Sequence, residues 1–305
     1  MEVKTGQILA CASYPTYNLA TMNDDWAEIN SDPLKPLFNR AFGAEYPPGS
    51  TFKMCTLIAA MENKNSKGEI IHPYKTEIKD EGVWNKLEGF APTCLAWTSG
   101  RYTHGVIDAA KALEVSCNYF FYELGDRMAQ TAAGKKALDD TAKALGLGEP
   151  TGIELNEDIG HRANEETKKK LYTGRQAGFY IGNVILAAIG QDKNKFSPLQ
   201  LCVYASTLAN QGKRMRATFL NRVVSADYRT LVEENQPKVM STFEICNDAY
   251  ISYMEGMQRV IYNNLGTARK FFNGFNDEEH TFPADIRVCA KTGTAQTFES
   301  WSDHG

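Results

Sequence analysis

The sequence predicts an α/β fold in which one antiparallel sheet is assembled from both ends of the chain and a mostly helical insert packs beside it. Three observations predict this. Residues 3–14, VKTGQILACASY, read as a strand-forming hairpin in which a polar Lys4-Thr5-Gly6 turn leads into the apolar run Ile8-Leu9-Ala10-Cys11-Ala12. Residues 286–298, IRVCAKTGTAQTF, read as a strand with a glycine near its middle. Between them the apolar residues recur at helical spacing.

The helical elements follow in order. Residues 15–45 are polar and irregular and end at Tyr46-Pro47-Pro48-Gly49, which stops the preceding chain. STFKMCTLIAAMEN (50–63) is a helix, with Met54, Leu57, Ile58 and Met61 at three- and four-residue spacing. Residues 64–105 are loop-rich, with Trp84 and Trp97 as local anchors. Helical patterns resume at 106–115, 116–128 and 135–146, the last ending at a glycine. In SPLQLCVYASTLANQG (197–212), Ser197 suits the N-cap, Pro198 the first helical position and Gln200 the closing residue of a capping box. A further helix is expected at 248–262. The division is therefore a sheet part at about 1–48 and 264–305 and a helical part at about 49–263, within a single domain of 305 residues.

Composition narrows the function. The chain is 43% hydrophobic and 23% charged, enough to fold around a core. Its net charge is −4 and no basic run stands out, which argues against nucleic acid as a partner. No run of about 18 apolar residues and no signal peptide is visible, so any membrane anchor is expected to lie outside this sequence. The seven cysteines form no C-x-x-C pair and sit beside apolar residues, so buried free thiols are expected. The five histidines show no ligand spacing, so no metal site is expected; no nucleotide-binding glycine motif appears, and no cofactor is expected.

Three short motifs carry chemistry. Ser50 opens the helix after Pro-Pro-Gly, and Lys53 follows on the same helical face, where its amine can meet the Ser50 hydroxyl. A helix N-terminus favours a developing alkoxide, and a lysine made neutral by burial or by a second cation can activate the serine. Ser116-Cys117-Asn118 sits at a helix junction, where a hydroxyl can relay a proton and an amide can bind a peptide. Lys291-Thr292-Gly293-Thr294 offers an amine and two hydroxyls to a carboxylate, beside a glycine that lets an extended peptide approach. The earlier Lys4-Thr5-Gly6 copy lies on the opening turn and is assigned no catalysis. Ser-x-x-Lys, a Ser-x-Asn element and Lys-Thr-Gly, in that order, are a known catalytic set.

The chain thus resembles the transpeptidase domain of a class B penicillin-binding protein. YPPGSTFK, SCNYFFYELG, GLGEPTGIEL, IGQ with SPLQL, LANQG and KTGTAQ match family blocks in order through nearly the whole chain. SCN followed by YFFYELG resembles elongation-type members more than division-type ones. The resemblance implies the penicillin-binding, serine β-lactamase-like fold and a peptidoglycan D,D-transpeptidase. Ser50 would be the acylated nucleophile, Lys53 its general base and Ser116 the proton shuttle, with Asn118 binding the donor peptide's amide. Lys291 would help keep Lys53 neutral. Thr292, Gly293 and Thr294 would hold the donor. The backbone N–H groups of Ser50 and Thr294 would form the oxyanion hole, each such donor lowering the barrier by about 3–4 kcal/mol. The donor would be a D-Ala-D-Ala stem peptide and the acceptor an amine on a neighbouring stem. β-Lactam antibiotics would acylate the same serine. A membrane glycosyltransferase would be the partner, and the catalytic domain would lie outside the bacterial cell membrane.

Two departures stand out. Family members read Gly-Gln-Gly where this chain has Gly190-Gln191-Asp192. The family sheet also continues with two more strands and a C-terminal helix beyond the point matching Gly305, and a pedestal and anchor precede the domain. A serine β-lactamase is the first alternative, but its E-x-x-L-N water-activating pair is not matched by Glu154-Leu155-Asn156. A catalytically dead or sensor domain is the second, and Asn118 argues against a sensor. Cys117 is read as a packing residue rather than a redox switch.

Overall fold

The computed structural model describes residues 1–273 and 286–294. Its centre is the helix Lys53–Glu62, where every residue from Lys53 to Met61 is buried. The expected stripe of Met54, Leu57, Ile58 and Met61 is therefore only part of a helix that is enclosed on all sides, with Cys55, Thr56, Ala59 and Ala60 filling the others. Its polar groups are matched inside: the Thr56 hydroxyl donates to the Ala188 carbonyl at 2.7 Å, and the Cys55 N–H donates to the Tyr204 hydroxyl at 3.0 Å.

Helices surround it. Asn118–Ala129 packs on Ile181–Ala187 at Gly125, where a Cβ would come within 2.9 Å of the Ile185 Cα. Asn247–Tyr262 packs on Ala109–Glu114, and Ala132–Ala144 closes another side. The helix Pro198–Ala209 begins with the capping box read from Ser197 and Gln200. Trp84 is fully buried as expected, and Trp97 is half-buried against Gly82. Among the described residues no helix is long and apolar enough to cross a membrane.

The strands differ from expectation. Six are described, in three antiparallel pairs: β1 (Ile78–Asp80) with β2 (Gly105–Ile107), β3 (Lys213–Met215) with β6 (Val239–Thr242), and β4 (Arg222–Val224) with β5 (Leu231–Glu234). All six lie within 49–263, the part expected to be helical, and the two chain ends share no described sheet. Residues 3–14 form no hairpin. The Gly6 N–H donates to the Glu2 carbonyl at 3.0 Å, closing a turn over Lys4-Thr5-Gly6, and Ile8 then donates to the Thr218 carbonyl at 2.9 Å. Leu9 is 71% exposed, so Ile8–Ala12 lacks the second strand a hairpin needs. Among the described residues, 286–294 join no ladder. Val288 and Ala290 instead pack on Val260, Ile261 and Ala268, and the Ala290 N–H donates to the Met257 carbonyl at 3.1 Å. Residues 295–298 of the expected strand lie outside the described residues.

All seven cysteines are free, but only Cys55, Cys94 and Cys117 are buried; Cys11 is exposed.

Candidate active site

Local sequence sets each piece. Gly49 takes a φ of 53°, turning the chain after the two prolines into a 3-10 turn, Gly49–Phe52, that runs into the Lys53 helix. Ser50 is on that turn. The turn is seated by a second glycine: the Gly49 N–H donates to the Gly190 carbonyl at 3.1 Å, and a Cβ on Gly190 would lie 2.1 Å from the Gly49 carbonyl oxygen. Gly190 also has a φ of 75°. Gly190→Ala is expected to destabilise the protein by roughly 2–4 kcal/mol, measured as a lowered denaturant midpoint. Asp192, where the family reads glycine, keeps a left-handed φ of 61°. Its Oδ1 accepts from the Asn183 amide at 2.9 Å, which ties the unusual residue down.

The Lys53 amine is fully buried and donates three hydrogen bonds: to the Ser116 carbonyl at 2.9 Å, the Ser116 Oγ at 3.2 Å and the Asn118 Oδ1 at 2.7 Å. Three donors are all an ammonium has. Burial nevertheless holds its pKa down to about 8, against a smaller opposing pull from the Cys117 and Cys94 thiols. Ser116 sits in a left-handed backbone with φ 54°, which turns both its carbonyl and its hydroxyl toward Lys53. Asn118 Oδ1 accepts from the Lys53 ammonium, so its NH₂ group is turned toward acceptors other than Lys53.

Lys291 reaches the same hydroxyl, donating to Ser116 Oγ at 2.8 Å and to the Thr292 carbonyl at 3.1 Å. Burial pushes its pKa well below the usual lysine range, with the Lys53 charge as the second cause. Burial is the first cause for both amines, and the charge of Lys53 adds to the downward shift at Lys291. Two amines meet on one hydroxyl oxygen, a chain along which a proton can pass.

A cavity of about 500 Å³ opens beside this chain, lined by Ser50, Ser116, Asn118, Thr292, Gly293 and Thr294. Thr292 Oγ1 is 2.8 Å from Thr267 Oγ1, and Gly293 lies against Pro48 and Thr51. One expected contact is missing: among the described residues Ser50 Oγ has no hydrogen bond to Lys53. The Lys53 donors are taken by Ser116 and Asn118. A slightly larger cavity of about 530 Å³ near Lys135, Asn164 and Phe179 contains none of the predicted residues, so chemistry rather than size marks the site.

Sequence spacing gave no sign of a second cluster. The β1–β2 register pairs Asp80 with Gly105, and the Asp80 Oδ2 accepts from both the N–H and the Nδ1 of His104, at 2.9 and 2.7 Å. Beneath them the Cys94 and Cys117 sulfurs lie 3.9 Å apart. The four ligand atoms all fall within 4.8 Å of one another, which corrects the expectation of no metal-ligand cluster. Two thiols, an imidazole and a carboxylate suit a tetrahedral zinc ion. The folded chain is expected to take up one equivalent of zinc against a chromophoric chelator, and the Cys94→Ser/Cys117→Ser double variant to take up none. The residues lie 14, 10 and 13 positions apart (94 − 80, 104 − 94 and 117 − 104), which no linear motif captures. Cys117, expected to be only a packing residue, thus joins this cluster to Ser116 and Asn118.

The chain is similar to several known proteins. Residues 1–304 match the family described as the penicillin binding protein transpeptidase domain. The chain is 28% identical over 302 residues to peptidoglycan D,D-transpeptidase MrdA of Acinetobacter baumannii, covering 97% of this chain and 40% of that protein. It is 30% identical over 240 residues to peptidoglycan D,D-transpeptidase PbpA of Mycolicibacterium smegmatis, covering 76% of this chain and 44% of that protein. The chain thus spans less than half the length of these curated relatives. Among solved structures it is similar to penicillin-binding protein PBP2 of Helicobacter pylori, with a TM-score of 0.77 and 26% identity over 97% of this chain and 50% of that one. That protein has also been seen in a complex with MreC. With the family model spanning almost the whole chain and the penicillin-binding fold shared, the chain belongs to the penicillin-binding protein transpeptidase domain family, on its class B side.

Proposed function

We propose that residues 1–305 are a single transpeptidase domain of an elongation-type peptidoglycan D,D-transpeptidase that works through an acyl-serine at Ser50. The observation that carries this is the meeting of the Lys53 and Lys291 amines on Ser116 Oγ beside the Ser50 cavity. Neutral Lys53 takes the Ser50 proton as the hydroxyl attacks the penultimate D-Ala carbonyl of a stem peptide. Reaching that state requires Lys53 to release one of its three present bonds and to lose its extra proton, which becomes favourable as pH rises through about 8. The backbone N–H groups of Ser50 and Thr294 stabilise the oxyanion. The tetrahedral intermediate collapses, the terminal D-Ala leaves as an amine protonated by Ser116, and the acyl-serine remains. An amine of a neighbouring stem then attacks and forms the cross-link. Asn118 binds the donor amide through its NH₂ group, while Thr292, Gly293 and Thr294 face the donor's carboxylate. A β-lactam ring opens on Ser50 by the same route.

Following the family resemblance, the whole protein is read as membrane-anchored, with this domain outside the cell membrane and a glycosyltransferase as partner. The β-lactamase alternative loses ground because the Glu154 carboxylate is engaged elsewhere, accepting from the Thr218 hydroxyl and from the Phe219 N–H. Intact-mass analysis after incubation with penicillin, followed by peptide mapping, tests the proposal. A single long-lived adduct on Ser50 is expected. Rapid hydrolysis would indicate a lactamase, and no adduct would indicate a dead domain.

A further inference from the structure

We infer that Gln191 is a positioning residue for the oxyanion hole: the Gly190-Gln191 dipeptide holds the backbone on both sides of the reacting carbonyl. This rests on the proposed acyl-serine chemistry and assigns a role to a residue outside its catalytic set.

Two contacts carry the inference. Gly190 presents its carbonyl to the Gly49 N–H at 3.1 Å, immediately before Ser50. Gln191 extends its side-chain amide across the cleft and donates from Nε2 to the Thr294 carbonyl at 3.3 Å. Ser50 and Thr294 supply the two proposed oxyanion donors, and adjacent residues of one turn therefore touch the backbone that sets each. No other side chain among the described residues is hydrogen-bonded to the backbone of Thr294.

The dipeptide is itself rigid. Gln191 is buried at 8% exposure, its N–H donates to the Leu186 carbonyl at 3.1 Å, and its carbonyl accepts from the Asn194 amide at 3.3 Å. Asn194 is buried and also donates to the Ala187 carbonyl at 3.2 Å, which ties the turn to the end of the Ile181–Ala187 helix. On the other side, Gly190 approaches Gly49 and Phe52 too closely for any side chain. A rigid bracket of this kind fixes a spacing, and oxyanion stabilisation depends on spacing at the sub-ångström level.

The 286–294 segment needs such a tie because it has no ladder among the described residues. Its other described backbone anchors, at Val288 and Ala290, are on the far side of Lys291 from Thr294. Gln191 is the contact that reaches the Thr294 end.

The test uses the full chain with a fluorescent penicillin, separating pre-acylation affinity from the first-order acylation constant and counting labelled sites. Gln191→Glu is nearly isosteric but cannot donate to the Thr294 carbonyl; Gln191→Leu fills similar space without charge or donor. Both are expected to lower the acylation constant by about 10- to 100-fold, with affinity changed less than about threefold and labelling stoichiometry preserved. Unaltered acylation constants in either variant would overturn the inference. So would a loss confined to stoichiometry, because that reports unfolding rather than misplacement. Wild-type protein that never labels at Ser50 would instead refute the proposed function on which this rests.

Discussion

Ser50→Ala is expected to remove the penicillin adduct altogether and to lower acyl transfer by at least about 10⁴-fold. The size follows from the roles: the remaining amines and backbone donors can polarise a carbonyl but have nothing to attach to it. Folding is expected to be untouched. The Ser50 hydroxyl has no hydrogen bond among the described residues, so its loss orphans no partner, and the melting temperature should stay within about 2 °C. The paired reading of mass and melting temperature distinguishes a missing nucleophile from a broken fold. Acylation persisting at another residue in Ser50→Ala protein would refute the assignment.

Lys53→Met carries the second large effect, about 10³-fold or more on acylation with the fold retained, since methionine approximates the buried stem. The diagnostic is pH. Lys53 must be neutral to accept a proton, so wild-type acylation is expected to climb as pH rises through about 8 and then level, while the residual rate of the variant lacks that rise. Stability moves in the same direction. The folded pKa of about 8 lies below the ordinary 10.5, so between these values the unfolded chain holds a proton that the folded chain has released. Stability therefore increases with pH across that window, and the full burial cost, roughly 3 kcal/mol, applies below it. Comparing wild type with Lys53→Met in urea at pH 7 and pH 10 isolates this contribution. A difference that does not change with pH would show that the amine's protonation is the same in both states.

Legibility in the sequence followed physical range. The capping box at Ser197 and Gln200 needs four adjacent residues, and it formed as read. The glycine-led turn into the Ser50 helix and the Lys4-Thr5-Gly6 turn are similarly local. Strand pairing was less legible, because alternation tells which segments can be strands, not which ones find partners: among the described residues Ile8 pairs with Thr218 rather than within a hairpin, and 286–294 join no ladder. Within the site, motif order was enough to gather Lys53, Ser116, Asn118 and Lys291. It did not reveal that Lys53 spends its three donors on Ser116 and Asn118 rather than Ser50, because that follows from the left-handed turn at Ser116. Gln191, Thr267 and the Asp80–Cys94–His104–Cys117 cluster come together only through tertiary packing.

The backbone at Ser116 has a wider consequence. A glycine would sit in that turn with less strain, of the order of 1 kcal/mol, yet the position is filled by a side chain whose hydroxyl both lysines need. Robustness and reactivity are opposed at this single residue. Selection for stability alone would drift toward glycine there, and the oxygen on which the Lys53 and Lys291 amines meet would be lost.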